Sequence, residues 1–119
     1  MKFSQKQSEA FADILVLAMC IDGHFSLLEE EEIQKEIAKV TWDENLSPGL
    51  HLNSSIARAR DVAGSADLVE AYIGNLAPLF DNEELAGFVI EETINVLNSD
   101  GSNPDEGAFI AQLRTALKV

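Results

Sequence analysis

Apolar residues recur at three- and four-residue steps along most of this chain, a rhythm that predicts helices. Phe11, Ile14, Leu15, Ala18 and Ile21 follow a Ser4-x-x-Gln7 capping box, which satisfies free N–H groups at a helix start, so the first helix is placed over 5–21. Asp22-Gly23 ends it, because glycine accepts the left-handed geometry that follows many helices. Ser26 with Glu29 opens the next as a second capping box, and that helix runs through Ile33, Ile37 and Val40. Residues 41–53 keep no period and hold Pro48-Gly49, which predicts a loop or a short turn of helix around Trp42, itself read as a plug of the core. A modest helix is placed from Ser54 or Ser55 to Val62, stopping at Gly64. Ser65 caps another that carries Leu68, Val69, Tyr72 and Leu76 before Pro78 breaks it. Asp81 with Glu84 is a capping box ahead of Leu85, Phe88, Val89, Glu92, Val96 and Leu97, a helix to about Ser99. Asp100-Gly101 ends it. Asn103 caps the last helix, with Pro104 at its first position and Phe109, Ile110, Leu113 and Leu117 on its apolar face. No useful period-two stretch appears, so the fold class is all-α.

Composition narrows the picture. A chain of 119 residues with 46% hydrophobic content fits one domain, residues 1–119, with a core of its own. The longest apolar run, Ile14 to Ile21, falls far short of the roughly 20 residues that cross a bilayer, so no membrane insertion is expected. Lys2 and Lys6 precede it, but Glu9 and Asp13 interrupt the approach and no small-residue cleavage site follows, which points to the cytoplasm. Cys20 has no partner for an internal disulfide and reads as a small buried hydrophobe.

Charge changes the picture more. The formal net charge is −13, from 21 acidic and 8 basic residues, which argues against nucleic acid or anionic lipid as direct ligands and for cations or a basic protein partner. From Asp61 to Leu113 there is no Lys or Arg, while Asp61, Asp67, Glu70, Asp81, Glu83, Glu84, Glu91, Glu92, Asp100, Asp105 and Glu106 are acidic. That half carries a negative field, serving either solubility or docking. The run Glu29 to Glu32 fits a helix start, where the positive end of the dipole favours carboxylates, and could also belong to an acidic docking face.

The two ends of the chain repeat a pattern. Asp22-Gly23 aligns with Asp100-Gly101, and Ser26, Glu29 and Ile33 align with Asn103, Glu106 and Ile110 once the second unit has lost a residue. Two helix–(Asp-Gly)–helix units of this kind could pack about a pseudo-two-fold axis. In Met19-Cys20-Ile21-Asp22-Gly23-His24-Phe25-Ser26 with Glu29, and in Leu97-Asn98-Ser99-Asp100-Gly101 with Pro104, Asp105 and Glu106, the chain resembles the tellurite-resistance TerB-like family, which includes the N-terminal domain of certain DnaJ-type cochaperones. The second unit departs from the pattern: Glu106 stands one residue closer to its Asp, the apolar match to Phe25 is missing, and Ser99 replaces the customary Ala. The resemblance implies a bundle of about six to eight helices. It also implies a divalent-metal site at the acidic turns and a place in a bacterial stress-response assembly near the inner face of the membrane.

Helix stops and caps explain most of the shared residues without a ligand. They do not explain the Asp, since a carboxylate at a helix C-terminus meets the negative end of the dipole and loses roughly 0.3–1 kcal/mol. Either the carboxylate accepts backbone hydrogen bonds in its own turn, or it binds a cation. The cation reading assigns Asp22, Glu29, Asp100 and Glu106 as ligands, with Ca²⁺ preferred and backbone carbonyls and water completing the set of six to eight oxygens that Ca²⁺ takes. Neither loop is an EF-hand, because position twelve would be Ile33 or Ala111. Asp13 lies on the opposite face of its helix from Asp22 and is not a ligand of that turn. His24 and His51 are too separated for a zinc site, no Gly-rich phosphate loop follows a strand, and helix caps account for the carboxylate pairs, so catalysis is not expected. The chain thus reads as a non-enzymatic TerB-like binding or scaffold module with a protein partner. The alternative is an acidic inhibitor or immunity-type protein that neutralises a basic enzyme.

Overall fold

Ser4 N donates to Gln7 Oε1 at 2.9 Å and Gln7 N donates to Ser4 Oγ at 3.2 Å, the reciprocal pair of a capping box, and α1 (Gln5–Ile21) starts where the sequence places it. The computed structural model describes residues 2–21, 27–43, 45, 47–97 and 104–119, with side chains from 30 onward in the second helix and from 107 onward in the last. After α1 come α2 (Leu27–Ile37), α3 (Pro48–Ala63), α4 (Ala66–Leu76), a 3-10 turn at Ala77–Leu79, α5 (Glu83–Leu97) and α6 (Pro104–Leu117). The chain is all-helical, with no strand among the described residues. The expected caps at Ser26 and Asn103 and both Asp-Gly junctions lie outside the described residues.

Two caps correct the sequence reading. Ser47 Oγ accepts from Leu50 N at 3.4 Å with Pro48 at the first helical positions, so α3 begins inside the stretch expected to be a loop, well before Ser54. Proline has no N–H to lose there and its φ is already helical, so Pro48 starts a helix instead of breaking one. Leu85 N donates to Asn82 Oδ1 at 2.8 Å, which makes Asn82, not Asp81, the cap of α5. At α4 the expected cap holds: Ser65 Oγ accepts from Leu68 N at 3.4 Å.

The periodicity of α1 suggests one apolar face, but the helix is buried all round. Every residue from Ala10 to Met19 is buried, and α1 packs against all five other helices and the 3-10 turn. A helix without a polar face has to be enclosed in this way. Phe3, Phe80 and Phe88 close over its first turns, with Phe3 ring centroids 5.7, 5.7 and 5.6 Å from Phe11, Phe80 and Phe88 in tilted or edge-on arrangements. Gln7 Nε2 donates to Leu79 O at 2.8 Å and ties α1 to the 3-10 turn. α5 packs against α1, α2 and α6, which brings the two ends of the chain together around the central helix. The radius of gyration is 12.9 Å.

Candidate functional site

Asp13 is the one charged residue in the fully enclosed stretch of α1, and a charge there must be paired or lose several kcal/mol of solvation. α3 supplies the partners. His51 Nε2 lies 2.9 Å from Asp13 Oδ1 and 3.2 Å from Glu9 O, and Arg58 Nη2 donates to the same Asp13 oxygen at 3.1 Å. His51 and Arg58 are seven residues apart, two turns of helix, so one face of α3 presents both to α1. Arg58 also donates to Ser54 Oγ. Beside this group the Tyr72 and Ser55 hydroxyls are buried without a hydrogen bond of regular geometry. Burial and the Asp13 charge push the Tyr72 phenol above its ordinary value, against the opposing pull of nearby Arg58 and Ser55. Burial alone would lower the Arg58 guanidinium, but Tyr72 and the Asp13 charge outweigh it and leave it raised.

A second buried group joins α2 to α5. Glu36 and Glu92 are 2% and 8% exposed, and Lys39 Nζ reaches both, at 3.1 Å from Glu36 and 2.9 Å from Glu92. Asn95 Nδ2 adds a longer contact of 3.4 Å to Glu92. Glu36 Oε2 is fully buried, and its closeness to the ammonium lacks hydrogen-bond geometry.

The structure does not describe the side chains of the Asp-Gly ligand set. Asp22 and Asp100 lie outside the described residues, and Glu29 and Glu106 fall in the first turns of α2 and α6 with their side chains outside the description. Among the described residues no group of three or more His, Cys, Asp or Glu is placed to hold a metal ion. Comparison of the chain with protein-family models, curated proteins and solved structures finds no match. The site is therefore read from its own geometry.

That geometry includes a trough between the second half of α2 and the start of α3. Three depressions of about 300, 290 and 290 Å³ adjoin one another through shared walls at Gln34, Gly49 and Leu52, at Trp42, and at Ser47 and Leu50. Trp42 packs against the core as expected of a plug, but is only half-buried and leaves part of its ring at the surface. Its Nε1 donates to Ile37 O at 2.8 Å and its ring lies 6.0 Å from that of His51, which fixes the indole at the trough edge. Leu50 is 71% exposed, the most exposed large apolar side chain among the described residues. Cys20 is also only half-buried, and burial raises its thiol pKa against the opposing charge of Arg60, which makes it a sluggish nucleophile. No helix among the described residues is long and apolar enough to cross a membrane.

Sequence reasoning sees Asp13 and Glu92 only as polar interruptions of apolar stripes. The available signal is that interruption, because a carboxylate in an enclosed helix calls for a cationic partner. His51 and Arg58 could be proposed as that partner only once α3 is known to start at Pro48.

Proposed function

We propose that this protein is a non-enzymatic binding module, TerB-like in kind, that docks a basic protein surface through an acidic face. One observation carries the reading. Asp61, Asp67, Glu70, Asp81, Glu83, Glu84 and Glu91 are all exposed, and the stretch from Asp61 to Leu113 supplies no Lys or Arg to neutralise them. None of these seven forms an ion pair among the described residues. The buried acidic residues Asp13, Glu36 and Glu92 are paired, so the seven exposed, unpaired ones are the residues available to a partner. Surface charge of one sign steers association and selects partners of the opposite sign.

The test is capture of the partner at low ionic strength, followed by elution with salt and by comparison with a Glu70→Lys, Glu83→Lys, Glu84→Lys variant. The expected result is a basic partner whose affinity falls about tenfold or more across physiological to high salt and again in the variant. A partner held equally well by the charge-reversed protein would refute the acidic-face reading. If the captured protein is an enzyme and loses its activity on binding, the inhibitor reading takes precedence. Titration with Ca²⁺, Mg²⁺ and Zn²⁺ tests the part of the proposal that rests on the Asp-Gly junctions. Binding heat lost on Asp22→Asn or Asp100→Asn supports a cation held with Glu29 and Glu106, and silence at millimolar metal removes it.

A further inference from the structure

We propose that the trough between α2 and the start of α3 is the docking groove for an amphipathic segment of a partner protein, apolar on one face and flanked by Lys or Arg. The inference rests on the reading of a basic protein partner and gives that partner a further contact, lined by none of the seven carboxylates named above. Val16, Ile33 and Leu52 lie in the trough, with Ile37 and Ile56 beside them and exposed Leu50 at the rim. The floor residues are already out of water, so the favourable contact is made at the rim, where Leu50 is exposed and Trp42 and Ile56 are partly so, and covering these surfaces with an apolar ligand face removes them from water.

Charge selects the flanks. Among the described residues Glu9 and Glu30 are the carboxylates that line the trough and no Lys or Arg lines it, while the His51 ring is turned to Asp13. A basic segment would meet both glutamates. A second copy of this chain is disfavoured as occupant, since its formal charge of −13 would bring like charges together at the same rim.

The chain holds a single Trp, so emission from Trp42 reports on this trough alone. The probes are two synthetic amphipathic helices, one of leucine and lysine and one of leucine and glutamate, titrated into the full chain. Two variants block the groove. Leu50→Ser removes the exposed rim, and Gly49→Phe adds bulk to the trough wall at a site where a Cβ meets only Ser47 Oγ at 3.7 Å, an ordinary contact.

The expected result is a saturating change in Trp42 emission with the lysine helix, weakened about tenfold by either variant and absent with the glutamate helix. Binding that leaves Trp42 emission and both variants unaffected but disappears on Glu70→Lys, Glu83→Lys, Glu84→Lys overturns the groove and keeps the acidic face. Absence of binding at low salt, or equal binding of the glutamate helix, overturns both. Circular dichroism of each variant confirms that its helices are retained.

Discussion

The two buried charge groups solve the same problem with opposite arithmetic. At Asp13 one carboxylate is shared by two donors, His51 and Arg58, while at Lys39 one ammonium is shared by two carboxylates, Glu36 and Glu92. The difference lies in who can escape to water. Around Asp13 the donors are the better exposed partners, with side-chain exposures of 17% for His51 and 44% for Arg58. Around Lys39 the carboxylates are the enclosed partners, at 2% and 11%, and the ammonium is the exposed one, at 48%. Removing the shared residue therefore strands little in the first group and two buried anions in the second.

The sharpest test removes each shared residue in turn. Lys39→Met is expected to lower unfolding free energy by about 3 kcal/mol in urea denaturation, near the lower bound for stranding a buried charge because the ammonium is half-exposed. Adding Glu92→Gln should recover part of that loss, a non-additive cycle diagnostic of direct coupling. Asp13→Asn should cost about 2 kcal/mol, since Arg58 and His51 can turn outward and keep their hydration. A larger loss for Asp13→Asn than for Lys39→Met would reverse the comparison. The smallest effect is alkaline. Because the folded Tyr72 phenol is raised above 10.0, its contribution is fully present below that pH and is lost as pH rises through the folded value. Tyr72→Phe should flatten the decline of Tm above pH 10, measured in a Cys20→Ser background because the Cys20 thiol is likewise raised from 9.0.

The helices were mostly readable because their information is local. Ser4 with Gln7 and Ser65 form side-chain caps that need no distant partner, and the spacing of apolar residues placed α1 at its observed bounds. The first half of α3 was not readable for an equally local reason. Pro48-Gly49 is also a turn signal, and the buried face of the helix is Leu52, Ser55 and Ala59, too small and too polar to show as an apolar stripe. At α5, Asp81 and Asn82 both satisfy the chemistry of a cap, and only backbone geometry selects Asn82. The candidate site was hidden for a different reason. Asp13 is 38 residues from His51 and 45 from Arg58, and Lys39 is 53 from Glu92, so neither pairing has a local spacing to detect. The trough depends in turn on α3 starting early enough to set Gly49 and Leu50 opposite Gln34.

Enclosure of α1 on every side has a consequence for how the chain is made. Synthesis delivers this helix ahead of α5 and α6, and although α2 to α4 cover part of it, its surface between Ala10 and Met19 is fully enclosed only when those last helices arrive. On the ribosome the greasiest segment must therefore wait, in the company of α2 to α4, for the rest of the polypeptide. That interval is when a nascent chain is most open to chaperones and to self-association, and a message truncated before α5 would leave it permanently so.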